Sequence, residues 1–206
     1  MTITEFHTYF DILCDKYGNP YFTTAEKDLL FNRATLIVLE EIINSGLQTQ
    51  QLEEVLYPLI LRGYSTMNAS GVIPFSTIEA QLTAAYGQNV VIYRILSVSQ
   101  ANSLGTIIPV RYRSYNKLNY SNTFKTPSAT VPVFSYIGSS NLQFLPVNQA
   151  LTNYITIIKK PLTVSTGGPV NSDMPEALHN AIVHKAVDLA GIGSRDQELV
   201  NLNQPK

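Results

Sequence analysis

Asp173-Met174-Pro175-Glu176-Ala177-Leu178-His179-Asn180-Ala181-Ile182-Val183-His184-Lys185-Ala186 is the stretch whose reading decides the fold class. Asp173 is an N-cap candidate and Pro175 falls where a first helical turn tolerates proline, so a helix is expected to start here. Leu178, Ile182, Ala186 and Leu189, widened by Val183 and Ala190, recur at helical spacing and make one apolar face. Gly191 and Gly193 are expected to stop the helix, leaving a polar tail to Lys206 that is loose in the monomer. An amphipathic helix this late in the chain must find a partner for its apolar face, and the residues before it are not helical.

From Asn89 to Val164 the chain changes character. Val90 to Tyr93, Ile107-Ile108, Val131 to Ile137, Leu142 to Leu145 and Tyr154 to Ile158 are β-branched or aromatic runs. Turn residues such as Asn119, Asn122, Pro127, Gly138 and Asn141 separate them, as in a small antiparallel β lobe. Gly167-Gly168-Pro169 reads as a hinge between this lobe and the last helix.

The helical partners lie at the other end of the sequence. Phe6, Tyr9, Phe10 and Leu13 share one face of a short helix over residues 4–16, which Gly18-Asn19-Pro20 ends. Thr23-Thr24-Ala25-Glu26 has the form of a capping box and begins a helix that runs to about Ser45, with Gly46 as its stop. The apolar residues Leu29, Leu30, Leu36, Ile37, Val38, Leu39, Ile42 and Ile43 of that helix cover more than one stripe, so it calls for packing partners on two sides. Residues 48–86 are less regular. Leu52, Val55, Leu56 and Leu59 look helical until Pro58 intervenes, Gly63 and Gly71 break the segment after it, and Ser76 to Tyr86 reads as a further short helix. The order of helices, strands, then one helix predicts an α+β fold: a helical bundle of N-terminal helices plus the C-terminal helix, with an inserted small antiparallel β lobe. The expected boundaries are 1–86, 87–168 and 169–206.

Composition narrows the function classes. The 206 residues are 45% apolar and 10% aromatic, enough to build a core, but only 14% are charged and the net charge is -1. A weakly charged surface suits a subunit surrounded by neighbours, and no basic run is long enough to neutralise several phosphates. The single cysteine, Cys14, sits in an apolar-periodic segment and has no partner for a disulfide within the chain. The sequence begins without the cationic and apolar pattern of a signal peptide, and no run of about 18 apolar residues occurs, so neither secretion by that route nor a membrane span is expected.

Chemistry is sparse. His7, His179 and His184 are the only histidines, and their spacing does not suit zinc. His184 and Asp188 are four apart and form a solvated surface pair rather than a catalytic dyad. No phosphate-binding glycine loop is present, and Gly191-Ile192-Gly193 comes after a helix rather than a strand. Glu40-Glu41 and Glu53-Glu54 are helix neighbours pointing about 100° apart, which suits surface charge or subunit contacts and not a pair of acids flanking one bond. Tyr93, Tyr112, Tyr115, Tyr120, Tyr136 and Tyr154 read as core or interface residues, with a stacking platform for sugars or bases as the other use of such rings. No cofactor and no enzymatic activity are expected.

Tyr154-Ile155-Thr156-Ile157-Ile158-Lys159-Lys160-Pro161, followed by the segment from Asp173 to Ala186, resembles the closing part of head-to-tail connector proteins of tailed bacteriophages, the adaptor, neck-ring or tail tubular proteins. Phe22-Thr23-Thr24-Ala25-Glu26-Lys27-Asp28-Leu29-Leu30-Phe31-Asn32-Arg33-Ala34 is similar to the start of ring proteins in crAss-like short-tailed phages. Together these cover about a third of the chain, and their order around a β insertion is the telling feature. The resemblance implies a virion protein made in the host cytoplasm, a ring of twelve copies beneath the portal, contact with the portal and with the next neck or tail ring, and DNA that only passes through the channel. Helices over Thr23 to Ser45 and Met174 to Ala190 would form the rigid wedge, and the tail from Ser194 would order on the portal. Glu40, Glu41, Glu53, Glu54, Tyr112, Tyr115 and Arg195 are the candidate assembly-interface residues. The alternative is a carbohydrate- or peptide-binding module that uses the tyrosine-bearing β lobe.

Overall fold

The computed structural model describes residues 1–16, 22–101, 105–114, 127–167 and 171–202, with backbone alone at residues 15–16 and from residue 192 onward. The Gly18-Asn19-Pro20 stop, Asn119, Asn122, Tyr115, Tyr120, Gly168-Pro169 and the last four residues lie outside them. The fold is α+β, and the chain divides into two compact units: Met1–Leu59 with Pro161–Lys206, and Ile60–Lys160.

The first unit is helical. Helix α1 spans Ile3–Lys16, α2 Thr24–Asn44, α3 Thr49–Val55 and α5 His179–Leu202. The capping box forms as expected, with the Glu26 amide donating to Thr23 Oγ1 at 3.4 Å and the Thr23 amide to Glu26 Oε2 at 2.8 Å. At the other end of α2 the Ser45 amide and hydroxyl both donate to the Ile42 carbonyl, and Gly46 takes φ +78°, a left-handed conformation that favours glycine. Phe6, Phe10 and Leu13 of α1, Phe31, Ala34, Val38 and Leu39 of α2, and Ile182, Val183, Ala186 and Val187 of α5 are buried, so α5 returns to pack on α1 and α2.

Three side chains of this unit fasten the returning chain. Asn32 holds Val164 as a strand neighbour would, donating from Nδ2 to its carbonyl at 2.9 Å and accepting its amide on Oδ1 at 2.8 Å. One turn earlier, Asp28 Oδ2 accepts the Thr166 amide at 3.0 Å and hydroxyl at 2.9 Å, while its Oδ1 lies 2.9 Å from His7 Nε2 on α1. Beside them, Lys27 Nζ donates to Asp11 Oδ2 at 2.6 Å. Asp173 does not cap a helix: its Oδ1 accepts the Leu162 amide at 2.9 Å, a tie across the returning loop, and the chain enters α5 through a 3-10 turn at Glu176–Leu178.

Nor do Gly191 and Gly193 end α5, which runs on to Leu202 and makes most of the expected loose tail helical. Glycine stops a helix where the backbone turns left-handed, as at Gly46 and Gly87; inside a helix it only costs about 1 kcal/mol relative to alanine.

Among its described residues the second unit contains α4, Phe75–Tyr86, and eight strands: β1 Ile60–Thr66, β2 Val72–Pro74, β3 Ile92–Ala101, β4 Ile107–Pro109, β5 Arg111–Tyr112, β6 Val133–Ile137, β7 Asn141–Leu145 and β8 Thr152–Lys159. The insertion thus begins at Ile60 and not near residue 87, and closes at Lys160 and not at 168. The reason is β1, which the glycine at its centre disguises. A Cβ at Gly63 would sit 3.0 Å from Leu82 Cδ2, so this glycine lets α4 approach the sheet and does not break the strand.

Two four-stranded sheets form, in the orders β1-β8-β3-β4 and β2-β7-β6-β5. The first is antiparallel throughout, but β5 runs parallel to β6, so the expected all-antiparallel lobe is a mixed one. Leu61, Ile73, Ile78, Leu82, Ile95, Val98, Val110, Phe134, Leu142, Phe144, Ile155 and Ile157 form its core. Buried Asn153 of β8 joins three strands of the first sheet, accepting from Gln100 Nε2 at 3.1 Å and donating to the Ser65 carbonyl at 3.2 Å.

Replacing Asn32 with alanine leaves the Val164 amide and carbonyl without their partner and is expected to lower the unfolding free energy by about 1–3 kcal/mol. Urea unfolding of Asn32→Ala against wild type, followed by circular dichroism at the helical minimum, measures this.

Candidate functional site

α2 presents two faces. At 100° per residue, Phe31, Ala34, Thr35, Val38 and Asp28 cluster on the side turned to α1, α5 and the returning chain, and all are buried. Leu29, Arg33, Leu36, Ile37, Glu40 and Asn44 cluster on the opposite side. Leu29 is 70% exposed, Leu36 and Ile37 are half-buried, and Arg33, Glu40 and Asn44 are exposed. With Glu41 at its edge, this second face forms a shallow depression of about 400 Å³ with an apolar floor. The two stripes read from the sequence are therefore one core stripe and one surface stripe.

The charges around that floor are ordered. Glu41 Oε1 accepts from Lys185 Nζ of α5 at 2.6 Å, and this hydrogen bond raises the lysine above its ordinary pKa. Glu40 Oε2 accepts from Asn44 Nδ2 of the next turn at 3.2 Å. Arg33 stands one turn before Leu36 and Ile37, and Glu40 one turn after them.

A second recess belongs to the β unit. Arg94, Ser97, Tyr112, Phe134 and Tyr136 surround a cleft of about 520 Å³ over a floor of Ile95, Val98 and Val110. Tyr112 is 58% exposed, and its ring centroid lies 5.7 Å from those of Phe134 and Tyr136. Burial, with the Tyr112 hydroxyl second, raises the pKa of the Tyr136 phenol against the opposing pull of Arg94. Of the six tyrosines read as core or interface residues, with a stacking platform as their other use, only Tyr112 and Tyr136 line this cleft among the described residues. Tyr154 faces Tyr64 across the β1–β8 pair instead.

The candidate interface residues belong to several elements. Glu40 and Glu41 flank the α2 depression, Glu53 and Glu54 sit on α3, and Tyr112 belongs to the cleft of the other unit. Tyr115 is outside the described residues, and Arg195 lies on α5 where backbone alone is described. No sequence motif singles out Arg33 or Arg94. Arg33 is legible from its helical spacing to Leu36, Ile37 and Glu40, whereas Arg94 depends on strand pairing that no local pattern announces.

The histidines have structural partners. His7 meets Asp28, the His184 ring stands edge-on to Tyr9 at 6.2 Å, and buried His179 points Nε2 at the Met174 carbonyl, 3.0 Å away, with Met1 N 3.1 Å from its Nδ1. Among the described residues no three metal-capable side chains gather at one point, and no described helix is long and apolar enough to cross a membrane. The chain matches no protein-family model, and no curated protein matches it.

Burial, and then the neighbouring N-terminal ammonium, hold His179 below its ordinary pKa. The fold therefore prefers its neutral form: this contribution is intact above the unfolded value near 6.5 and is lost as pH falls through the lower folded value. The thermal midpoint is expected to drop on going from neutral to acid pH, and the drop to shrink in His179→Gln, which keeps a donor for the Met174 carbonyl but does not titrate. Differential scanning fluorimetry across that range measures both.

Proposed function

We propose that this protein is a structural subunit of the head-to-tail connector ring of a tailed bacteriophage virion, joining the portal to the tail around the channel through which DNA passes. The observation that carries the reading is the architecture of the helical unit. α5 closes on α1 and α2 after a β unit has been inserted between them, the order in which the two connector-like segments occur. A low-charge chain with several modest surface features and no convergent polar constellation among its described residues suits a part whose work is packing against neighbours. Ring closure requires two different complementary faces on each subunit. Exposed Glu54 of α3 and the exposed surfaces of the β unit are candidates for these faces.

The test is assembly. Purified protein mixed with portal proteins of short-tailed phages, imaged by negative stain and weighed by mass photometry, is expected to yield rings of about twelve copies seated on a portal. Protein that never joins a portal overturns the reading.

The aromatic cleft favours a second reading, a carbohydrate- or peptide-binding module. Two tyrosines and a phenylalanine beside a guanidinium offer stacking faces and a donor fork of the kind that sugar rings and peptide backbones use. The chain has no tryptophan, so its fluorescence comes from its twelve tyrosines, two of which line this cleft. Under this reading a glycan or peptide that binds changes that fluorescence, and Tyr112→Ala abolishes the change. A flat response across a glycan and peptide panel removes the reading.

A further inference from the structure

The net charge of -1 is the sum of two unequal halves. The β unit, Ile60–Lys160, holds eight of the chain's 14 lysines and arginines but only one of its 15 acidic residues, Glu79, so it carries +7 and the helical unit -8. No basic run announces this, because the cations are spread over β1, β3, β5 and β8 instead of being adjacent in sequence. Glu79 is engaged within the unit, its Oε1 accepting the Ile92 amide at 2.8 Å. Arg62, Arg94, Arg111 and Lys160 are exposed. The guanidinium groups of Arg94 and Arg111 have no hydrogen-bond or ion-pair partner among the described residues. Positive charge this poorly neutralised repels itself and attracts a polyanion.

The aromatic cleft belongs to this positive unit. Arg94 stands in its wall, and Val110 and Tyr112 of the β5 segment line it. Arg111, between those two, is turned by strand alternation to the other face of β5, which is the outermost strand of its sheet. The Tyr112 ring is 58% exposed beside Phe134 and Tyr136. Cations for phosphates next to exposed rings for bases are the two elements that hold a single strand. A neutral sugar uses the rings and leaves the charge unanswered, and a duplex keeps its bases stacked inside, away from a cleft.

We propose that the β unit binds single-stranded nucleic acid, with a base stacked on Tyr112 in the cleft of Arg94, Phe134 and Tyr136 and with phosphates held by Arg94 and Arg111. Charge complementarity and the exposed ring together name this occupant, in place of the sugar or peptide of the second reading. Binding of this kind is independent of the connector reading, in which DNA only passes through a ring.

Fluorescein-labelled oligothymidylate and oligouridylate of about 20 nucleotides, titrated with the full-length chain and followed by fluorescence anisotropy, test it. Wild type is expected to bind at least one of them, with an affinity that falls as salt rises. Tyr112→Ala is expected to weaken binding by about tenfold or more, and Tyr112→Phe to keep it, because the phenyl ring still offers a stacking face. Arg94→Ala and Arg111→Ala are each expected to weaken binding and to flatten the slope of log affinity against log salt by about 0.7, while Arg94→Lys keeps the slope. Circular dichroism of each variant shows that it is folded. No binding at low salt, equal affinity for a duplex of the same length, or binding unchanged in Tyr112→Ala overturns the proposal. Salt-sensitive self-association in sedimentation, with neither strand bound, overturns it in favour of the acidic helical unit of a second copy as the occupant. None of these results bears on whether portals are bound.

Discussion

Asp28 and Asn32, one turn apart on α2, are the constraint on which the rest of the helical unit depends. Between them they take the amide and carbonyl of Val164 and the amide and hydroxyl of Thr166, so a segment outside the helices and named strands is held along a helix by its side chains. Backbone groups buried without partners cost as much as a lost hydrogen bond, and here a helix supplies the partners that a sheet would normally give. With Val164 fixed and its side chain buried, the Leu162–Asp173 bond adds a second tie ahead of α5. The second oxygen of the Asp28 carboxylate brings in His7, so the same residue also sets where α1 lies.

Features written in local sequence are legible in advance. The capping box at Thr23, the stop at Gly46, the helix over Phe75–Tyr86 and most of the strands depend on residues a few positions apart, and each forms where its pattern occurs. The features that local pattern misreads are decided at long range. Asn32 and Val164 are 132 residues apart, and nothing near Asn32 marks it as a backbone mimic. Asp173 has the composition of a cap but finds a better-placed amide at Leu162, eleven positions away. β1 is hidden because Gly63 interrupts its apolar run, although the space it leaves is filled by Leu82 of α4.

The same division applies to the candidate sites. Helical periodicity alone separates the two faces of α2, so the surface stripe is readable once the helix is recognised. The cleft around Tyr112 and Tyr136 is not, because it needs the parallel β5–β6 pairing and the approach of β3, neither of which can be deduced from the tyrosines themselves.

The pairing of β1 with β8 has one more consequence. Ile60 opens the β unit and Ile158 stands beside it as its register partner, so the two ends of a long excursion lie about 5 Å apart. To the helical unit such an excursion is a short loop. A unit that leaves and rejoins the chain at neighbouring points tolerates changes in its own length, loops and surface chemistry as long as those two junctions keep their spacing.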